Sequence, residues 1–307
     1  MSFSVTILGS SSAKPTPSRH HSAQVVNINE QLYLVDGGEG VQQQMFRYGI
    51  NPLKLRAIFI SHLHADHVYG IFPLLSTMSL YGRKTAIKVY APAPFGAMLD
   101  SYIGFFGGDM EYEVEWVEVN TSEHQIIFEN RTLEVWSVPL RHRLPTSGYI
   151  FKEKSPALNV DKFKITKYNL SIAQITAAKR GENIELSTGE RVINRELTYL
   201  PYSPRSYAYI SDTAYSPPAA ELCHGVDLLY HEATFAAAES RIAKERGHST
   251  THQAAKCAQK AEAKELLIGH FSSRYKELGE LLREAQEIFP KSKLALEGEE
   301  FKIEKKL

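Results

Sequence analysis

Residues 62–67 read His-Leu-His-Ala-Asp-His and follow directly on the strand-like run LRAIFIS, Leu55 to Ser61. Four side chains with metal-ligand chemistry thus stand within six residues at the end of an expected strand. Polar and ionisable groups packed together at a strand terminus are costly to bury without a compensating charge, and imidazole nitrogen and carboxylate oxygen are both ligands that Zn²⁺ accepts readily. The spacing divides them into two pairs. His62 and His64 alternate on an extended segment, whereas Asp66 and His67 open the next helix. Four ligands this close in sequence can hardly all serve one tetrahedral ion, so the hexad points to two adjacent metals, which need further ligands and a bridge.

Three other residues have the right chemistry and the right place. His142 follows the strand LEVWSVPL, Asp212 follows SYAYIS, and His270 follows ELLIG. Strand ends are where the loops of α/β folds converge on a site. Taken alone, each is an ordinary turn residue; taken with the hexad, they complete a ligand set of seven. His20, His21, His124, His224 and His252 have no such context and read as solvated or structurally satisfied imidazoles.

The chain pattern suits one α/β domain. Strand-like segments (Phe3 to Leu8, Ala23 to Ile28, Gln31 to Val35, Leu55 to Ile60, Lys88 to Ala91) alternate with helical ones (Val41 to Tyr48, Val68 to Tyr81, Phe95 to Phe105). A second series runs from Glu113 to Val119 and Arg131 to Val138, through Ser206 to Ser211 and Asp227 to His231, to a helix over Thr251 to Ala263. Thr250-x-x-Gln253 fits a capping box at the start of that helix. Glu265 to Gly269, a helix from Lys276 to Ile288 and Lys293 to Leu296 close the chain. Between Arg131 to Val138 and Ser206 to Ser211, the stretch 151–196 is polar and holds nine Lys/Arg against six Asp/Glu. It reads as an inserted arm within a single domain spanning 1–307.

Charge and composition exclude several classes. With 35 basic and 35 acidic residues the net charge is zero, so affinity for nucleic acid has to come from a local patch. The two cysteines, Cys223 and Cys257, lie far apart and outside any C-x-x-C, which argues against a disulfide framework and suits a reducing compartment. No apolar run approaches the length that spans a bilayer, and the first residues are too polar for a signal peptide. The expectation is a soluble cytoplasmic protein with no membrane partner.

The hexad with its later His, Asp and final His resembles the metallo-β-lactamase superfamily. Other motifs narrow the resemblance to the ribonuclease Z family: Ser211-Asp212-Thr213, His231-Glu232-Ala233-Thr234-Phe235, Gly247-His248-Ser249-Thr250, Gly269-His270-Phe271-Ser272-Ser273-Arg274-Tyr275, and Asp36-x-Gly38-Glu39-Gly40-x-Gln42. They run from near the start of the chain to about residue 275. The resemblance implies a metallo-β-lactamase αββα sandwich with an inserted flexible arm, and two Zn²⁺ per subunit. His62, His64 and His142 would hold one, Asp66, His67 and His270 the other, with Asp212 bridging. It implies cleavage of the 3′ trailer from precursor tRNA, leaving a tRNA 3′-hydroxyl and a 5′-phosphate on the trailer. Asp66 would orient the attacking water, and His248, held by Glu232, would protonate the leaving oxygen. Arg274, Ser272, Ser273 and Arg19 are the candidates for substrate phosphate contacts. The arm would grip the tRNA body, and family members pair as homodimers.

The sequence departs from the family in two places. The Gly-Pro-rich arm tip is replaced by Tyr168-Asn169-Leu170-Ser171-Ile172-Ala173, and the loop SSSAKPTPSRHH is looser than the usual pattern. Both bear on substrate grip, leaving room for a broader or small-molecule phosphodiesterase, and neither touches the metal residues. A diiron oxidoreductase of the same superfamily would resemble H-x-E-x-D-H, but His64 occupies the position of that Glu, which favours zinc. A metal-free RNA-binding module would be expected to lose ligands, and all seven positions are filled.

Overall fold

The computed structural model describes residues 2–305. Two seven-stranded sheets are packed face to face. The first has the strand order Glu300–Lys302, Phe3–Gly9, Ala23–Ile28, Gln31–Gly37, Leu55–Phe59, Ile87–Ala91, Val114–Glu118; the second has the order Ser292–Leu294, Glu265–Gly269, Leu228–Glu232, Ser206–Ile210, Ser147–Glu153, Leu133–Pro139, Ile126–Glu129. Each sheet is half parallel and half antiparallel. In the first, pairing is antiparallel up to Gln31–Gly37 and parallel beyond it. In the second, the strands from Ser292–Leu294 to Ser206–Ile210 are parallel and the rest antiparallel.

Side-chain alternation along the strands builds three cores. Tyr33, Val35, Phe59, Tyr149, Phe151, Tyr207, Tyr209 and Tyr230 fill the space between the sheets. The other face of the first sheet meets helices Val41–Arg47, Ile71–Leu80 and Phe95–Phe106 through residues such as Leu34, Ile58, Leu74 and Phe95. The other face of the second sheet meets helices Pro217–Leu222, Thr251–Lys260 and Gly279–Ile288 through Ala208, Leu229, Ala254 and Leu281. The result is the αββα sandwich that the resemblance implied. Thr250 and Gln253 form the expected capping box, each side chain bonding the other's backbone N–H.

Several boundaries differ from the sequence reading. The helix expected over Val68 to Tyr81 is two helices, Ala65–Val68 and Ile71–Leu80, because the chain bends at Gly70. Pro73 sits in the first turn of the second helix, where its missing N–H costs nothing. Ser147–Glu153 is an interior strand of the second sheet, so the inserted arm begins after Glu153 rather than at about 151. It ends where Ser206–Ile210 rejoins that sheet rather than at about 196. Within it, short helices Lys162–Lys167, Ile172–Lys179 and Asn194–Leu197 surround a small core of Val160, Leu170, Ala178, Ile184, Val192 and Leu197. Among the described residues no helix is long and apolar enough to cross a membrane. Cys223 and Cys257 are free and buried.

Candidate metal centre

The seven ligand-type residues meet at one end of the sandwich. Ligand atoms of His62, His64, His142 and Asp212 all lie within 4.8 Å of one another, and so do those of Asp66, His67 and His270. Asp212 joins the two groups through its separate oxygens. Its Oδ1 is 3.7 Å from Nε2 of His62 and 3.7 Å from Nε2 of His142, while Oδ2 is 3.1 Å from Nε2 of His67 and 3.3 Å from Nε2 of His270.

Hydrogen bonds on the outer side of four rings decide which nitrogen faces inward. Nδ1 of His142 donates to the Gly247 carbonyl at 2.8 Å, and Nδ1 of His67 donates to Asp36 at 2.7 Å. The Ser61 hydroxyl donates to Asp36 at 2.8 Å and so accepts from Nδ1 of His62 at 3.0 Å. Likewise the Thr234 hydroxyl donates to Glu232 and accepts from Nδ1 of His270 at 2.9 Å. In its neutral form each of these rings therefore presents an Nε2 lone pair to the centre. His64 adds its Nδ1, 2.8 Å from Nε2 of His62 and 3.3 Å from Nε2 of His142. Inward lone pairs at such separations repel unless a cation stands among them, and an outer hydrogen bond that fixes ring orientation is the usual support of a metal-binding histidine. The donor set, nitrogen and carboxylate oxygen, suits a borderline-soft divalent ion.

Ionisation follows the same demand. Burial disfavours a charge on His67, but Asp212, Asp36 and Asp66 outweigh it and raise its pKa well above the ordinary value. The carboxylates require positive charge at this place, and a proton or a metal ion supplies it. Burial likewise works against ionised Asp212, yet the surrounding histidines hold it well below the usual carboxylate range. Burial lowers His62, and the neighbouring His67 lowers it further.

Three residues that position the centre lie in the left-handed region: Asp36 (φ 55°), Asp212 (φ 54°) and His270 (φ 57°). Asp36 stands near the end of Gln31–Gly37, while Asp212 and His270 lie in the turns that follow Ser206–Ile210 and Glu265–Gly269. Such backbones cost roughly 1–3 kcal/mol apiece and persist where the surroundings over-determine them. Gly38 matters for a different reason. A Cβ there would stand 2.4 Å from the Asp66 carbonyl oxygen and 2.2 Å from Cβ of His21, so the loop after Asp36 packs directly against the helix that carries Asp66 and His67.

Asp66 is oriented by the Ala13 N–H, which donates to its Oδ2 at 2.8 Å. Glu232 is fully buried and satisfied on both oxygens. Oε1 accepts from Thr213 N–H at 2.7 Å and from Nδ1 of His248 at 3.0 Å, and Oε2 accepts from Ser249 N–H at 3.1 Å and from the Thr234 hydroxyl. Burial works against a charged His248 ring, but the adjacent Glu232 carboxylate overrides it and raises the pKa to about 9. His248 also lies within ligand range of Asp212 and His270, but its Nδ1 is committed to Glu232.

The four residues picked for phosphate contact end up in different settings. Arg274 is on the rim, paired with Glu239 and lying 5.0 Å over the Phe235 ring, which neighbours His248. Ser273 is exposed and Ser272 half-buried in the same loop. Arg19 departs from the sequence reading. It is buried, and its guanidinium donates to the carbonyls of Tyr275 (2.8 Å) and Ser272 (3.5 Å). It ties down the loop that follows His270, because packing of the 10–20 segment against that loop takes it out of solvent.

Sequence reasoning assigned no role to Asp36, Ser61 or Thr234. Asp36 stood in a quoted motif, and Thr234 in another. The available signal was a buried-type carboxylate next to a Gly-Gly break. The contacts that give them a role reach 25 to 173 residues along the chain, from Ser61–Asp36 to Tyr209–Asp36.

A family model described as "Anti-Pycsar protein Apyc1" matches residues 3–103, and one described as "Beta-lactamase superfamily domain" matches residues 161–271. The chain is 41% identical over 302 residues to a ribonuclease Z from Phocaeicola vulgatus, covering 98% of both chains. Among solved structures it is similar to human tRNase Z, short form (24% identity, TM-score 0.71, 97% of this chain and 98% of that one). It is also similar to the metallo-β-lactamase fold protein YhfI from Bacillus subtilis (18% identity, TM-score 0.69, 98% and 100%).

Proposed function

The chain belongs to the ribonuclease Z family, and from that premise we propose that it is a zinc-dependent endoribonuclease that removes the 3′ trailer from precursor tRNA. The observation that carries this reading is the seven-residue ligand cluster divided by Asp212, with the His248–Glu232 pair beside it. His62, His64 and His142 would hold one Zn²⁺, Asp66, His67 and His270 a second, and Asp212 both. When bound, two such ions neutralise phosphodiester charge and make water acidic enough to attack near neutral pH.

The chain's own residues do the rest. Asp66 is held in place by the Ala13 N–H. It orients the attacking water and takes its proton. Attack on phosphorus forms the new P–O bond and breaks the bond to the ribose 3′ oxygen. Nε2–H of His248 delivers a proton to that oxygen, so the tRNA keeps a 3′-hydroxyl and the trailer carries a 5′-phosphate. Glu232 keeps the ring charged and aimed. Arg274, with Ser272 and Ser273, meets phosphate oxygens at the rim.

The arm, with its excess of Lys/Arg, grips the tRNA body through salt-sensitive phosphate contacts. The protein works in the cytoplasm, where Cys223 and Cys257 stay reduced. It pairs as a homodimer, a state supported by the exposed Tyr69, Leu80, Phe105 and Phe106 of the outer helical layer. The deciding experiment is cleavage of a defined precursor tRNA with end mapping, beside metal analysis. Intact precursor after incubation with zinc-loaded protein sinks the specific activity; far less than two metal equivalents per chain sinks the centre.

A further inference from the structure

Asp36 is a wholly buried carboxylate with four hydrogen bonds donated to it. Three come from the segment just after the strand Leu55–Phe59: Ser61 N–H to Oδ1 (2.7 Å), the Ser61 hydroxyl to Oδ2 (2.8 Å), and Nδ1–H of His67 to Oδ2 (2.7 Å). The fourth crosses the sandwich. The Tyr209 hydroxyl donates to Oδ2 at 2.7 Å from the strand Ser206–Ile210 of the second sheet. Tyr209 stands three residues before Asp212 on the same segment of chain, and its ring is held by stacking on Tyr230 (centroids 5.0 Å apart, planes 14° apart). The left-handed φ of Asp36 is what brings its carboxylate into the space between the sheets, on the opposite side from Leu34.

We infer that Tyr209 is a positioning residue for the metal centre, a hydrogen-bonded clamp that sets the strand leading into Asp212 against the Asp36–His67 side of the site. The inference rests on the metal reading above. Each ligand group draws on both sheets: His62, His64, Asp66 and His67 follow a strand of the first, and His142, Asp212 and His270 follow strands of the second, so ligand atoms carried by different sheets have to be matched to within fractions of an ångström. Apolar contacts between the sheets set spacing loosely because they have no direction, whereas a hydrogen bond into a carboxylate that already orients two ligand rings transmits both distance and angle. Loss of the hydroxyl frees Oδ2 for a stronger bond to His67, which by itself would tighten metal binding. The slackened sheet-to-sheet geometry opposes this and is the larger effect, because it misplaces Asp212, the ligand shared by both groups.

The test compares Tyr209→Phe with Tyr207→Phe in the full chain. Tyr207 is as deeply buried in the same core, but its hydroxyl donates to Gln24. Zinc-loaded proteins are challenged with a chromophoric chelator, and affinity is read from the competition, with urea midpoints measured on the metal-free forms. Tyr209→Phe is expected to bind its zinc about 10–100-fold more weakly. Tyr207→Phe should keep wild-type affinity while losing comparable metal-free stability. Unchanged or tighter zinc binding by Tyr209→Phe, or an equal loss in both variants, overturns the clamp and leaves the metal reading intact. Wild-type protein that takes up no zinc overturns both.

Discussion

The ligand cluster and the arm are built by opposite means. The cluster draws residues from strand ends of both sheets, and Asp36, His62, His67 and Glu232 within and behind it are all at 0% exposure. Nothing in it is local except the hexad. The arm, 154–205, leaves and re-enters the second sheet at neighbouring strands and packs on a core of its own, with Phe163 and Ile172 exposed at 85% and 84%. The cluster therefore depends on the whole sandwich being assembled, while the arm, to which the proposed function assigns grip on the tRNA body, is packed on its own core.

If that division is right, damage to the cluster should hit every substrate alike. His64→Ala is expected to lower cleavage of precursor tRNA and of a nitrophenyl phosphodiester together by at least about 10³-fold, with reduced metal content and an unchanged circular dichroism spectrum. Retained hydrolysis of either substrate would break the comparison. Next in size is His248→Ala. A general acid contributes roughly 10²–10⁴-fold, so RNA cleavage should fall by that much. Nitrophenolate leaves without protonation, so the nitrophenyl ester should be hydrolysed within a few-fold of wild type. Equal losses on both substrates would make His248 a ligand rather than a proton donor.

The arm supplies the converse. Replacing residues 156–203 with a short Gly-Ser link should cut kcat/KM for precursor tRNA by roughly 10²-fold through lost phosphate contacts and leave the nitrophenyl ester nearly untouched. Lost metal or lost folding in that variant would show that the two bodies are not separable. The smallest effect is expected at Gly38→Ala. The added methyl group meets the Asp66 carbonyl and His21, and overpacking of this kind costs about 1–3 kcal/mol. A lowered melting temperature with weaker metal binding is expected; no change in either would mean that the loop yields freely.

Much of the cluster was legible because metal ligation demands particular side chains, and strand-plus-turn patterns mark where they fall. The hexad, His142, Asp212 and His270 each stand within two residues of the end of an apolar run, and the structure brings all seven together. Arg19 misled because an arginine in a polar loop looks the same whether it faces solvent or is buried against carbonyl groups. The strand Ser147–Glu153 was split by a composition window, although Tyr149 and Phe151 carry the alternation of an interior strand.

By itself, the sequence determined which atoms are available as ligands, the α/β layering through its apolar periodicity, and the family. Those are properties of residue type and short spacing. Only the tertiary structure decided that Asp212 divides its two oxygens between two histidine groups, that Glu232 meets His248, and that Tyr209 reaches Asp36 across the sandwich. The first and the last depend on how two sheets pack across tens to hundreds of residues of chain, and the Glu232–His248 contact on how the loop before Thr251–Lys260 folds back onto a strand end of the second sheet; no local pattern encodes either arrangement.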